Sequence, residues 1–310
     1  MKSTYKQGPV LILLILLCIS VTLSCVSKKE ESKIEDAEHL IDVRAVDFKF
    51  EMPVEIPSGW STFRFKNDGM QEHFLYLYKL PDNKTYDQFL EEAMVPFGTV
   101  WYEYIDGDLT REEATVKLGE EMAGWFFTDI IPSGGPALTE PGETAITTVH
   151  LEPGTYVAEC YVKMPDGSWH IEMGMQQEFT VTQEENNVSP PNTDVSLTLS
   201  NYELSVEGEF TSGLQTVAVH IKENPEGIML HDINLFRLDD STNVDEIIRW
   251  MDWMDPSQFR APAPGYSIGG VEHLVAGKTG YMTVDLQPGR YALISEMYAS
   301  NGVSKVFTVE

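Results

Sequence analysis

Residues 154–160 read Gly154-Thr155-Tyr156-Val157-Ala158-Glu159-Cys160, and His170 and Met175 follow the cysteine closely. A Glu152-Pro153-Gly154 turn leads into alternating Tyr156, Val157 and Ala158, which predicts a short strand ending on a thiol. The stretch also recurs. Leu151-Glu152-Pro153-Gly154-Thr155-Tyr156 is echoed 135 positions later by Leu286-Gln287-Pro288-Gly289-Arg290-Tyr291. Gln177-Glu178-Phe179-Thr180-Val181 is echoed by Lys305-Val306-Phe307-Thr308-Val309, and the segment from His73 to Leu80 by that from His231 to Leu238. Three landmarks in one order mark a tandem repeat. Copies of more than 100 residues imply two domains rather than a solenoid.

Within each copy the pattern is mostly strand. Alternation is clear in residues 61–66, 75–78, 156–158 and 178–181, and short strands are expected over 144–150 and 280–285. Asn67-Asp68-Gly69 and Pro165-Asp166-Gly167 punctuate them as turns. Gly134-Gly135 and Gly269-Gly270 recur in both copies and also read as turns. A helical interruption follows the His-bearing strand in each copy, over 85–94 and 243–254. The first copy adds a helix over 110–125, with Thr110 and Glu113 as a capping box. Trp101, Trp125, Trp250 and Trp253 on these segments are expected to pack on the edge of the β structure. Many short strands with Gly and Pro turns predict an all-β sandwich. The run 184–194, polar with Pro190-Pro191, reads as the linker.

The N-terminus reads as a targeting segment. Lys2 and Lys6 precede an apolar run, 10–19, that is too short to span a membrane and suits a signal peptide. It leads to Val21-Thr22-Leu23-Ser24-Cys25, which resembles a bacterial lipobox, although Thr22 and Leu23 depart from that pattern. Residues 1–24 are then a signal peptide, and 25–42 a lipidated terminus and polar tether attached to membrane through Cys25; the alternative is an ordinary signal peptide cleaved nearby. Either way the protein is exported, to the periplasm or cell surface. The formal net charge is −28, which argues against a nucleic-acid partner.

The chain has three cysteines, Cys18, Cys25 and Cys160. The first leaves with the signal peptide and the second would carry lipid. Cys160 is left as a lone thiol in an exported protein: a metal ligand, an inert buried residue or a reactive thiol. Cys160, His170, Met175 and the upstream His73 offer a thiolate, two imidazoles and a thioether. Those donors are the set that binds a mononuclear electron-transfer copper. Met164 and Met173 are rival thioethers.

Here the sequence resembles the cupredoxins, the fold of plastocyanin and its relatives. The resemblance rests on His73 after the Asn67-Asp68-Gly69 turn, on the Gly154-x-Tyr156 strand ending at Cys160, and on His170 followed by Gly174-Met175. It covers most of 43–182, and more weakly 195–310. The Cys-to-His spacing, with nine intervening residues, is longer than plastocyanin's and closer to cupredoxins with long ligand loops. The resemblance implies two Greek-key β-sandwich domains in tandem, 43–183 and 195–310, each with a helical insertion. It also implies His73, Cys160, His170 and Met175 as ligands of one copper ion.

The second copy carries Ser295 where the first has Cys160, and its following loop is seven residues shorter. It should bind no copper, while the first copy holds all four ligands. His231 persists there without other ligands, so a histidine at this position can be structural, bonded to a turn carbonyl. Multicopper oxidases and nitrite reductases of this fold need a second, His-rich centre. None of the seven histidines stand two apart, Glu159 precedes Cys160 where a reductase has His, and no other catalytic motif is present. The reading is therefore an electron-transfer or copper-holding lipoprotein of the cell envelope, not an enzyme, with a redox or envelope protein as partner. A metal-free β-sandwich lipoprotein serving in binding or envelope structure is the alternative.

Overall fold

The computed structural model describes residues 39–227 and 229–310. The expected signal segment and Cys25 lie outside the described residues, and none of the described helices is long and apolar enough to cross a membrane.

Each half of the chain builds two facing sheets. In the first, β1 (Leu40–Ala45) turns Ile41, Val43 and Ala45 into the core. It runs parallel to β3 (Glu55–Asn67), with β2 (Phe50–Glu51) at its edge. From Gly59 onward β3 pairs antiparallel with β6 (Thr144–Leu151), whereas residues 55–58 pair parallel with β8 (Gln176–Glu185). One long strand thus passes from one sheet into the other. The facing sheet runs β8, β7 (Gly154–Glu159), β4 (Tyr76–Lys79) and β5 (Ile131–Pro132).

The second half repeats the plan. β9 (Val195–Ser200), edged by β10 (Glu203–Glu207), lies parallel to β11 (Gly213–Glu223), which pairs with β14 (Thr279–Leu286). The facing sheet runs β13 (Tyr266–Leu274), β12 (His231–Leu238), β15 (Gly289–Ile294) and β16 (Ser304–Val309). The duplication extends to single atoms. Tyr156 Oη donates to the Glu152 carbonyl at 2.8 Å and accepts from the Glu152 N–H at 3.1 Å, and Tyr291 repeats both bonds on Gln287 at the same distances.

The glycine pairs correct the sequence reading: they mark close crossings rather than turns. Gly135 (φ +123°) and Gly270 (φ +145°) lie alongside β4 and within β13. A Cβ on either would stand 1.9 Å from a carbonyl oxygen, that of Leu75 or of Ile233. Only glycine permits that approach.

The helices form where expected, but the first runs on well past Met94, the second breaks after Glu121, and the one in the second half stops at Trp250. The helix beginning at Tyr86, capped by Thr85, passes through a π turn at Leu90–Met94 and continues over Val95–Ile105. The Thr110–Glu113 capping box opens Arg111–Glu121, and a short helix at Gly124–Thr128 follows. Together they cover the outer face of the β4–β7 sheet around Trp101, Phe89 and Trp169. In the second half Asn243 caps Val244–Trp250.

The halves are not beads on a string. β14 pairs antiparallel with β6 through Tyr281–Thr148, Met282–Thr147 and Thr283–Ile146, so one sheet continues across both halves. The strands also begin and end outside the expected boundaries. β1 starts at Leu40, inside the expected tether, and β8 reaches Glu185, inside the expected linker.

Candidate metal centre

His73, Cys160 and His170 meet at one end of the first sandwich. Cys160 Sγ lies 3.8 Å from His73 Nδ1 and 3.6 Å from His170 Nδ1, and the donor atoms of all three lie within 4.8 Å of one another. All three side chains are fully buried.

Each is held by its own local structure. Asn67, at the end of β3, is buried and organises the turn before His73. Its Oδ1 accepts from Gly69 N, and its Nδ2 donates to the Gln71 and Thr139 carbonyls at 2.8 Å. His73 then exchanges backbone bonds with Thr139. Cys160 sits one residue past β7, where its N–H donates to the Met175 carbonyl at 3.1 Å. The loop between them is compact: His170 N donates to Val162 O, and Met175 N to His170 O. Met175 is fully buried in the apolar cluster that holds Cys160 and Val162, whereas Met173 is half exposed.

The electrostatics favour neutral donors. Burial pushes the His73 imidazole down to about 4, an effect partly offset by Asp47, and pushes His170 down to about 3, with His73 adding to it. Burial raises the Cys160 thiol to about 12. Without metal, the site is therefore two neutral imidazoles around one protonated thiol. Gln71 Oε1 accepts from His170 Nε2–H at 2.7 Å, which leaves the Nδ1 lone pair facing the sulfur. His73 Nε2 has no partner inside the protein.

A thiol and two Nδ1 atoms, buried and already within coordination range of one point, fit a mononuclear copper ion. Binding would release the thiol proton, since the thiolate is the ligand. Among the described residues this is the one group of three close His, Cys, Asp or Glu donors.

The matching place in the second half is filled differently. Ser295 N donates to Val303 O at 3.1 Å, as Cys160 N does to Met175 O, so Val303 stands where Met175 stands. Ser295 Oγ is 3.1 Å from His231 Nδ1, and His231 Nε2–H donates to the Asn201 carbonyl at 2.6 Å. A hydrogen-bonded Ser–His pair and a valine replace the donors, and the histidine carries the turn-carbonyl bond foreseen for a structural role.

Other residues around the site were not singled out in the sequence. Gln71 lies between the turn and His73 and carries no motif. Glu72 accepts from Ala263 N at 2.7 Å and so ties the His73 turn to the second half. Lys163, fully buried in the ligand loop, donates to the carbonyls of Trp253, Asp255 and Gln258 at 2.6, 2.9 and 3.0 Å. Its ammonium also lies 4.6 and 4.7 Å from the Trp101 and Trp169 ring centres. Its backbone pairs with Phe259 O and Ala261 N. The three converging donors all belong to the first copy, as expected, and the second half packs against the loop that carries His170.

No family model matches the chain, and no curated protein sequence matches it. Among solved structures it is similar to auracyanin A, a blue copper protein from Chloroflexus aurantiacus, at 20% identity over 46% of this chain and 98% of that one, TM-score 0.28. It is similar to the auracyanin of Roseiflexus castenholzii at 22% identity over 47% and 98%, TM-score 0.26. A multicopper oxidase is similar at 14% identity over 87% of this chain and 88% of that one, TM-score 0.24. The chain's own topology is a cupredoxin-like fold: two β-sandwiches, with a Cys just past one strand, a His just before the strand paired with it, and a second His in the loop that follows.

Proposed function

We propose that this chain is an exported copper protein that carries single electrons, or holds copper, at the centre formed by His73, Cys160 and His170, with Met175 as a weak fourth ligand. One observation carries the reading: Sγ and two Nδ1 atoms converge in a solvent-inaccessible pocket of a rigid sandwich. A copper ion bound there would supply a one-electron couple. The residues do the rest. Gln71 holds the His170 ring and fixes its tautomer. Asn67 fixes the turn that delivers His73. Phe48 packs edge-on against His170 with ring centres 5.2 Å apart and helps exclude water. Because the donors already converge, little rearrangement accompanies a change of charge.

Export fits this role, since a lone thiol in an oxidising compartment persists when it is a metal ligand. We propose lipid attachment at Cys25, and a redox or envelope protein as the partner. We read the chain as a carrier rather than an enzyme, because its sequence offers no His-x-His pair for a catalytic copper centre.

The test is metal titration of the full chain with visible spectroscopy. One copper per chain is expected, with intense thiolate-to-copper absorption on oxidation, and Cys160→Ser should abolish both the band and most of the affinity. Copper binding that survives Cys160→Ser unchanged, or wild-type protein that stays colourless with copper, would sink the assignment.

A further inference from the structure

The hairpin loop beside the candidate metal centre carries an unsuitable residue for its backbone. β1 and β2 pair antiparallel through Arg44–Glu51 and Ala45–Phe50, and Val46 N donates to Lys49 O at 3.1 Å. Asp47 and Phe48 are therefore the central pair of a two-residue loop. Both have positive φ, +28° at Asp47 and +63° at Phe48. Such loops usually read Asn-Gly or Asp-Gly, because glycine takes the second place without crowding a Cβ. Asp47 fits that pattern. Phe48 places a bulky aromatic where the backbone favours glycine, and a left-handed residue of that size is strained. Outliers of this kind persist where the surroundings hold them, and they gather at functional sites.

What holds Phe48 is the centre itself. Its ring stands edge-on to His170 with centres 5.2 Å apart, and perpendicular to His73 at 6.4 Å. Its carbonyl oxygen lies against Gly174, in the loop between His170 and Met175, 3.6 Å from where a Cβ would stand. Asp47 Oδ1 accepts from Met70 N at 2.9 Å and so fastens the loop to the turn that delivers His73. Fit is close there: a Cβ on Gly69 would stand 2.8 Å from His73 Nε2 and 2.9 Å from Asp47 Oδ1. His73, Cys160 and His170 are fully buried, whereas Phe48 is partly exposed and its neighbours Asp47 and Lys49 are exposed. Phe48 is thus a cover one side chain thick over both imidazoles. β2 is two residues long and, among the described residues, pairs with β1 alone, so the loop can lift without unpairing the main sheets.

We propose that the loop 46–49 is the gate of the centre, and that Phe48 is the side chain limiting how fast metal and thiol reagents reach Cys160. Its part in metal exchange rests on the copper reading; the gate itself is a property of the metal-free chain. The two features of Phe48 act in opposite directions. Left-handed strain favours opening, since the residue relaxes to an ordinary φ when the loop lifts. The ring contacts with His170 and His73 and the bond from Met70 to Asp47 close it again. Donors buried behind a rigid wall would exchange metal only through global unfolding, and a local opening supplies the faster route.

The experiment alkylates the metal-free full chain with iodoacetamide and follows the peptide bearing Cys160 by mass, so that Cys18 and Cys25 do not contribute. Phe48→Gly should raise the Cys160 labelling rate at least about tenfold, and that rate should stay flat in low urea, because a local opening exposes little surface. Phe48→Ala also removes the ring but keeps a Cβ, so it should label as fast and melt at a lower temperature than Phe48→Gly. In the copper-loaded chain, transfer of Cu(I) to excess chelator should accelerate by a similar factor. The labelling arm needs no copper, so a chain that binds none would sink the copper reading and leave the gate standing. A smaller rise in Phe48→Gly, a rate that climbs with urea as global unfolding does, or a Phe48→Gly no more stable than Phe48→Ala would overturn the gate. Copper that leaves Phe48→Gly no faster than wild type would overturn its part in exchange.

Discussion

At the scale of single residues, the centre depends on groups that never touch the bound ion. Gln71 is the clearest. Its carbonyl oxygen 2.7 Å from His170 Nε2 selects the tautomer whose lone pair faces Cys160. Gln71→Leu keeps the volume but removes the acceptor, leaving His170 Nε2 as unpartnered as His73 Nε2 already is. Removing such an orienting partner typically costs about 10–100-fold in metal affinity, and that range is expected here. Competition titration of Cu(I) against a chelator measures it. The far-ultraviolet spectrum should stay unchanged, because Gln71 lies on a loop and its backbone carbonyl still accepts from Asn67.

At the scale of elements, one slipped residue in the β12–β13 ladder sets the titration behaviour of the second half. Glu272 is forced inward by the bulge, where burial holds its carboxyl well above the usual 4.5 and Asp232 and Glu159 reinforce the shift. Glu296 and His273 face it, and Asp232, itself raised to about 7 by burial, lies across the ladder. The sign follows from proton counting. Above pH 4.5 the unfolded carboxyl has lost its proton while the folded one keeps it. The group's contribution is therefore complete below that value and is lost as pH rises. Glutamine has no proton to lose. In metal-free protein the stability of Glu272→Gln relative to wild type should rise between about pH 5 and pH 8. Thermal unfolding in chelator at the two values measures this, and a difference that stays flat would show that Glu272 ionises freely in the native state.

At the scale of the whole molecule, the second half buttresses the first. A continuous sheet joins them through β6 and β14, and the ligand loop is gripped by residues 253–261. Lys163 is the centre of that grip. Burial, with Arg260 adding to it, pushes its ammonium down to about 7, while three carbonyls and two tryptophan faces favour the charged form. Lys163→Met fills the same apolar space but leaves three carbonyls without their donor. A buried acceptor left without its donor costs about 1–3 kcal/mol, and a loss of at least that size is expected. Urea unfolding measures that loss. Copper affinity should fall with it, because Lys163 lies between Cys160 and His170 in the chain. A variant as stable as wild type would mean that the Lys163 ammonium adds nothing to holding the halves together.

Much of the site was legible in the chain itself. Donor type and order pointed to His73, Cys160 and His170, because strand ends and short turns are local features and a repeat shows which positions the fold holds constant. The duplicated Pro-Gly-x-Tyr turns, the capping box at Thr110 and the structural bond of His231 belong to the same class. What the chain did not show required distance in space. Gln71 has no motif, since its role exists only once His170 returns from 99 residues away. The glycine pairs looked like turns because a close backbone crossing and a turn make the same demand on φ. Tyr161, Asp232, Glu272, His273 and Glu296 come from four separate segments, and only tertiary packing and a one-residue bulge bring them together. Lys163 reads in sequence as one more surface charge. Only the assembled structure buries it, because the carbonyls that solvate it belong to the other half of the molecule.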